Sequence, residues 1–203
     1  MKLWLVRHGE TEANVAGLYS GHAPTPLTAK GQRQAERLGE MLHQVPFDHA
    51  LCSELERTQR TAQLLLGERD VPLAANALLN EMFFGDWEMR HHLDLQVEDK
   101  ENYAAWCADW QHVAPTNGEG FPAFSRRVAA FAEELAHYPY QNLLIVSHQG
   151  VLSLLTARLL GMPTASMWHF RIDHGAWSVI DFTPEFTTLR VLNSRAIWLP
   201  EEG

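Results

Sequence analysis

The sequence predicts an α/β fold, a mostly parallel sheet covered by helices on both faces, and three observations carry that reading. Short apolar runs recur at "LWLV" (3–6), "HALCS" (49–53) and "LLIVS" (143–147), each the length of a strand buried on both faces and each ending on polar residues. Segments of helical period lie between them, and strands alternating with helices are the pattern of a parallel sheet. The 203 residues suffice for one such unit with an insert, and no repeat, low-complexity tract or linker divides them, so 1–203 reads as a single domain.

The first strand, "LWLV", runs straight into Arg7, His8 and Gly9. A helix follows from about Thr28, with Ala35, Leu38 and Leu42 along one face. "HALCS" is the second strand. Ser53 with Glu56 three residues on has the form of a capping box, so a helix is expected to start at Ser53 with Arg57 in its first turn. A weaker strand lies near residues 71–74. Over residues 83–118 the alternation breaks, and Phe83, Phe84, Trp87, Tyr103, Trp106 and Trp110 stand among many charges. That region reads as a helical insert over the strand C-termini, with one helix near residues 99–110. Beyond it, Phe121, Phe124, Val128, Phe131 and Leu135 follow helical spacing, and "LLIVS" leads into His148, Gln149 and Gly150. "VLSLLTARLLG" is a helix stopped by Gly161, with Pro163 beyond. "AWSVIDF" (176–182) and "TLRVL" (188–192), joined by the "TPEFT" turn, predict an antiparallel hairpin at one edge of the sheet.

A formal net charge of −9 argues against nonspecific binding to nucleic acid or to an anionic membrane. Any anion site must then come from local clustering of arginines. The two cysteines, Cys52 and Cys107, form no disulfide framework and no CxxC pair, which favours a reducing compartment. The N-terminal apolar stretch is broken at Arg7, too short for a signal peptide or a membrane span, so cytoplasm is the expected location.

In open α/β sheets ligands bind at the carboxyl ends of strands. If the three strands are neighbours, Arg7, His8, Arg57 and His148 converge at one sheet edge. A helix N-terminus with an arginine in its first turn adds backbone N–H groups and the macrodipole to that charge. Two guanidiniums and two imidazoles repel one another without a dianion between them, and the natural occupant is a phosphoryl group, which arginine holds bidentately.

"RHGET" followed by Asn14, "PLTAKG", "SELERTQRT" and "SHQG" together resemble the histidine phosphatase superfamily, the phosphoglycerate mutase-like fold, over nearly the whole chain and in the expected order. The resemblance implies a three-layer α/β/α sandwich. It implies His8 as the nucleophile that takes the phosphoryl group, with Arg7, Arg57 and His148 gathering its equatorial oxygens, and neither metal nor other cofactor. Within "LNEMFFGDWE", Glu81 occupies the position of the proton donor to the leaving oxygen; Asp86 and Glu88 are nearby rivals. A carboxyl in an apolar surround such as Met82 and Phe83 suits both protonated and ionised roles. Asn14, Ser20 and Gly21 match positions that touch the phosphate or the substrate body. Gln149 stands where many relatives have glycine, and it reads equally as a substrate contact or a helix-start residue.

Other readings stay in view. "RHHLD" (90–94) suggests metal, yet adjacent histidines rarely ligate one ion together and no third ligand is suitably spaced. The tryptophans of the insert serve either packing or a ligand. The expected partner is a small-molecule phosphoester, with three classes of function to weigh: a phosphomonoester hydrolase, a phosphoglycerate mutase, or a noncatalytic phospho-ligand module. The module predicts loss of His8 or its companions, and all are present. Mutases of the family generally carry more sequence after the second histidine block, which favours hydrolysis, whether substrate-specific or broad-range. The same segments resemble the family's phosphatases of cobalamin nucleotide-loop assembly, implying a 5′-phosphate on a benzimidazole nucleoside as substrate.

Overall fold

Parallel pairing of three apolar strands puts their carboxyl ends side by side, and everything at the site follows from that. The structure, a computed structural model, describes residues 1–200. Six strands, β1 (Lys2–Arg7), β2 (His49–Cys52), β3 (Leu73–Ala75), β4 (Asn142–Ser147), β5 (Trp177–Phe182) and β6 (Thr187–Ser194), form one sheet in the order β3-β2-β4-β1-β5-β6. β1 pairs parallel with β4, β4 with β2 and β2 with β3, while β5 and β6 close one edge as the antiparallel hairpin expected from their turn. The helices are α1 (Glu12–Ala16), α2 (Ala29–Met41), α3 (Glu56–Leu66), α4 (His92–Glu98), α5 (Lys100–Ala108), α6 (Phe121–Leu135) and α7 (Gln149–Leu159). Among the described residues no helix is long and apolar enough to cross a membrane.

Strand side chains alternate between the two faces of a sheet, so one apolar run feeds two cores. Leu3, Leu5, Leu143 and Ile145 pack with Phe124, Val128 and Phe131 of α6 and Leu152 and Leu155 of α7. Trp4, Val6, Leu144 and Val146 pack with Leu38 and Met41 of α2 and Ala62 and Leu65 of α3. The result is the three-layer sandwich. Each fully buried aliphatic side chain contributes roughly 1.5–3 kcal/mol, so these two cores hold the strand ends firmly.

α2 begins where the sequence places it: Thr28 Oγ1 accepts from the Gly31 backbone N–H at 3.0 Å. A Cβ on Gly31 would lie 2.1 Å from the Glu10 carbonyl, so only glycine lets the turn after His8 rest on the first turn of α2.

Two expectations need correction. α3 starts at Glu56 with Leu55 as its N-cap, not at Ser53. The Ser53 hydroxyl faces His148 Nε2 at 2.8 Å and Thr58 Oγ1 at 2.6 Å, and so serves the site more than the helix. The insert holds two helices, α4 and α5, and a 3₁₀ turn at Gly85–Trp87, where one helix was expected. Asp99 divides them: its carboxylate accepts from Trp87 Nε1 at 2.8 Å and from the Thr116 hydroxyl, which pins the backbone between the helices.

Candidate active site

The register of β1 against β4 builds the centre. Arg7 lies opposite Ser147, the His8 backbone N–H donates to the Ser147 carbonyl at 3.0 Å, and the two histidines leave the sheet with ring centroids 5.2 Å apart. β2 flanks β4 on its other side and delivers α3, so Arg57 enters from its first turn. The structure thus brings Arg7, His8, Arg57 and His148 to one place.

His8 Nδ1 lies 2.7 Å from the Gly9 carbonyl. A carbonyl only accepts, so Nδ1 carries the proton and Nε2 keeps its lone pair. Burial, then the charges of Arg57 and Arg7, holds this imidazole well below the usual histidine range, leaving it neutral with a free lone pair. His148 is depressed in the same way, by burial first and Arg57 second. Its Nε2 meets Ser53; with the Ser53 hydroxyl donating to it, Nδ1 carries a proton available to an oxyanion.

Arg7 Nη1 donates to the Ile172 carbonyl at 3.1 Å and Arg57 Nη2 to the Gly21 carbonyl at 2.5 Å, which aims both guanidiniums. Four buried polar atoms have no hydrogen-bond partner among the described residues: Arg7 Nε, Ser20 Oγ, Arg57 Nε and His148 Nδ1. Each such atom costs about 1–3 kcal/mol, more when charged, and folded proteins tolerate few. Four, drawn from four segments and all belonging to one cluster, amount to a site built for a ligand rich in oxygen acceptors.

Glu81 stands beside this cluster. Its carboxyl accepts from the Met82 N–H at 3.0 Å and the Gly150 N–H at 3.0 Å. Burial raises its pKa above the usual carboxylate value and outweighs those two hydrogen bonds and the attraction of Arg57 and Arg7. Met82 shares its surroundings, whereas Phe83 is exposed and packs on His22. The two rivals do other things. Glu88 accepts backbone N–H bonds from Gly21, His22, Ala23 and Phe84 and so clamps the loop that presents Ser20 and Gly21. Asp86 is exposed and accepts from Asn117.

The remaining candidates divide. Ser20 and Gly21 sit on that clamped loop, their carbonyls against Arg57. Asn14 is held at the start of α1, where its Oδ1 accepts from the Thr11 N–H and hydroxyl. The Gln149 amide is engaged at both ends, donating to the Phe170 carbonyl and Ser153 and accepting from the Ile172 N–H, so it ties α7 to the 170–172 segment. His91 caps α4 by accepting from the Leu93 N–H, a structural use of the ring. Trp87 is fully buried in a small cluster with Leu95 and Tyr103, away from the strand ends. Trp106 and Trp110 line a cavity that reaches Glu81.

Sequence reasoning passed over three side chains. His174 Nδ1 donates to the His8 carbonyl at 2.7 Å, and burial, then Arg7, brings its pKa down to about 4. Arg127 donates to the carbonyls of Leu78, Asn80 and Glu81 while paired with Glu119, and stiffens the segment that carries Glu81. Trp168 closes the cavity from outside the insert. The glycine after His174 was the one local signal for the first; nothing marked the other two, since Arg127 sits on the polar flank of an ordinary amphipathic helix.

Two guanidiniums, two uncharged imidazoles and a carboxyl of raised pKa at paired strand ends define a class: α/β proteins that handle a phosphoryl group with histidine. The chain belongs to the histidine phosphatase superfamily (branch 1), whose family model matches residues 3–195. It is 66% identical to the adenosylcobalamin/alpha-ribazole phosphatase of Escherichia coli over 97% of this chain and 98% of that protein. It is 67% identical to the protein of the same name from Salmonella typhimurium, over 99% of this chain and 100% of that one. The alpha-ribazole phosphatase from Shigella flexneri matches its backbone with a TM-score of 0.97 at 66% identity, over 99% of this chain and 100% of that one.

Proposed function

We propose that the protein is a phosphomonoesterase that removes the 5′-phosphate of α-ribazole 5′-phosphate, or of the corresponding adenosylcobalamin phosphate, through a phosphohistidine at His8. The observation that carries this is the lone pair left on Nε2 of the buried His8 beside four unpartnered polar atoms on Arg7, Ser20, Arg57 and His148.

Nε2 attacks phosphorus, an N–P bond forms, and the ester P–O bond breaks. The guanidiniums and His148 stabilise charge on the equatorial oxygens as the leaving bond stretches. The proton of Glu81 passes to the leaving oxygen, and the resulting carboxylate then takes a proton from the water that attacks phosphohistidine. As the water oxygen bonds phosphorus the N–P bond breaks, inorganic phosphate leaves, neutral His8 is regenerated and Glu81 is again protonated. Asn14 and Gln149 act in this scheme by holding the walls of the site, and Gly21 by carrying Ser20 beside Arg57. Arginine supplies the positive charge, so the scheme includes no metal. A cytoplasmic setting suits the two unpaired cysteines, and the substrate is a small-molecule phosphoester.

Phosphate release from α-ribazole 5′-phosphate, 3-phosphoglycerate and simple sugar phosphates, measured side by side, tests this reading. α-Ribazole 5′-phosphate should lead by about a hundredfold in kcat/KM, the scale available to two aromatic contacts plus buried ring area. Equal rates on all would make it a broad-range phosphatase. Interconversion of phosphoglycerates with a bisphosphate cofactor, without net phosphate release, would make it a mutase.

A further inference from the structure

The cavity that reaches Glu81 has a volume of about 200 Å³ and walls formed by Met82, Phe84, Trp106, Trp110, Met167 and Trp168. Whole drug-sized ligands occupy roughly 300–1,000 Å³, so this space suits one fused ring and leaves larger appendages outside. Its neutral polar lining residues have their hydrogen-bonding groups engaged elsewhere, and in the proposed mechanism the acid proton of Glu81 is reserved for the leaving oxygen. Both ends of the Gln149 amide are bonded, the Tyr19 hydroxyl meets that of Tyr103 at 3.1 Å, and the Glu81 carboxyl accepts two backbone N–H bonds. At the mouth, Trp168 is 62% exposed, with its ring edge-on to Trp110 at 5.5 Å, and Trp110 is in turn edge-on to Phe121 at 4.6 Å. An indole so exposed, resting on an aromatic stack at a cavity rim, keeps a face for a further ring.

We propose that this cavity is a base subsite, that Trp168 is its outer wall and a specificity-determining residue, and that it accepts a flat apolar fused ring while rejecting bases with a hydrogen-bonding edge. The proposal rests on the assignment of Glu81 as proton donor to the leaving oxygen, which puts the leaving group on this side of the phosphate. A methylated benzimidazole enters with little to desolvate. A purine loses the water on its amino group and ring nitrogens and finds the carboxamide and phenol already bonded, so those hydrogen bonds are left unmade. Discrimination therefore comes from what the walls cannot offer, and ordinary nucleotides are excluded without any repulsive charge.

Calorimetric titration of the full chain with dimethylbenzimidazole and with adenine, separately, tests this. Dimethylbenzimidazole should bind at least about tenfold more tightly than adenine, the factor set by one to two unmade hydrogen bonds. Trp168→Ala should weaken dimethylbenzimidazole about tenfold, the scale of one aromatic contact, and Trp168→Phe should restore most of it. Adenine binding as well as dimethylbenzimidazole, or a Trp168→Ala protein binding it like the parent, would overturn the proposal. The exposure of Trp168 keeps either variant folded, and a thermal melt checks this. Ring binding is read without any phosphoester, so failure here leaves the hydrolysis of α-ribazole 5′-phosphate standing, and failure of that hydrolysis leaves this result standing.

Discussion

The strand-end cluster and the aromatic insert are both rich in functional side chains, yet they are built in opposite ways. Arg7, His8 and His148 continue strands fixed between two large cores, and Arg57 opens a helix packed on the same sheet. The insert has a core of its own of only three buried residues, Trp87, Leu95 and Tyr103, and its helices α4 and α5 are short. On the proposed function the first region handles charge and needs rigidity, and on the proposed base subsite the second handles an apolar ring and needs shape. Glu81 joins them, with its carboxyl against Gly150 on one side and the cavity on the other. The proposed phosphoryl chemistry therefore sits on the sheet, and the proposed choice of leaving group on what is draped over it.

Changing the joint should separate the two regions most sharply. On the proposed mechanism Glu81→Gln removes the proton donor and should slow alkyl phosphoesters by about 10²–10⁴-fold, while p-nitrophenyl phosphate, whose leaving group needs no proton, falls far less. The pH profile carries the same information. Burial raises the Glu81 pKa, so the acid form persists above the usual carboxylate range, and kcat/KM for an alkyl ester should fall as pH rises through that value. His8, depressed by burial and Arg57, stays neutral and adds no acidic limb until well below the usual histidine range. The Gln variant should lack the alkaline limb, and comparing the two profiles cancels the substrate's own ionisation. An equal loss on both substrates, with the limb retained, would reduce Glu81 to a wall.

Trp87→Ala attacks the insert. Loss of a fully buried tryptophan costs about 3–5 kcal/mol, and the separate small core predicts that the loss stays local. Hydrogen exchange should show residues 85–110 losing protection while β1 and β4 keep theirs. Uniform loss across the chain would mean that insert and sandwich unfold as one unit.

Arg57→Ala and Arg7→Ala attack the sheet-end cluster. Each should cost about 3–4 kcal/mol in kcat/KM, the scale of one strong oxyanion donor, with an unchanged circular dichroism spectrum. Lysine should restore only part, because a point charge cannot reproduce the fork that Ile172 and Gly21 aim. Full rescue by lysine would show that charge alone matters.

The same contrast explains what was legible in the sequence. Runs such as "LWLV" and "LLIVS" signal buried strands because burial on both faces demands continuous apolar residues, and their ends mark the site. The motifs around Arg7, His8, Arg57, His148 and Glu81 were readable for the same reason: a short segment carries each. Ser53 misled, since a serine three residues before a glutamate is both a capping signal and a partner for a distant imidazole, and only the pairing of β2 with β4 reveals the second use. The insert was least legible. Trp87 and Trp110 look alike in sequence, but a hydrogen bond to Asp99 buries one and an edge contact with Trp168 places the other at a cavity. Trp168 lies 58 residues from Trp110, and no periodicity links them.

The most direct test of the account is to trap the intermediate. Brief reaction of the protein with phosphate-labelled substrate, followed by denaturation, should leave label on the chain that is stable in base and lost in acid, and peptide mapping should place it on His8. His8→Ala should carry none and should not turn over, although its fold, set by the strands around it, remains. Label on another residue, or substantial turnover by His8→Ala, would contradict the claim that the imidazole at the end of β1 is the nucleophile.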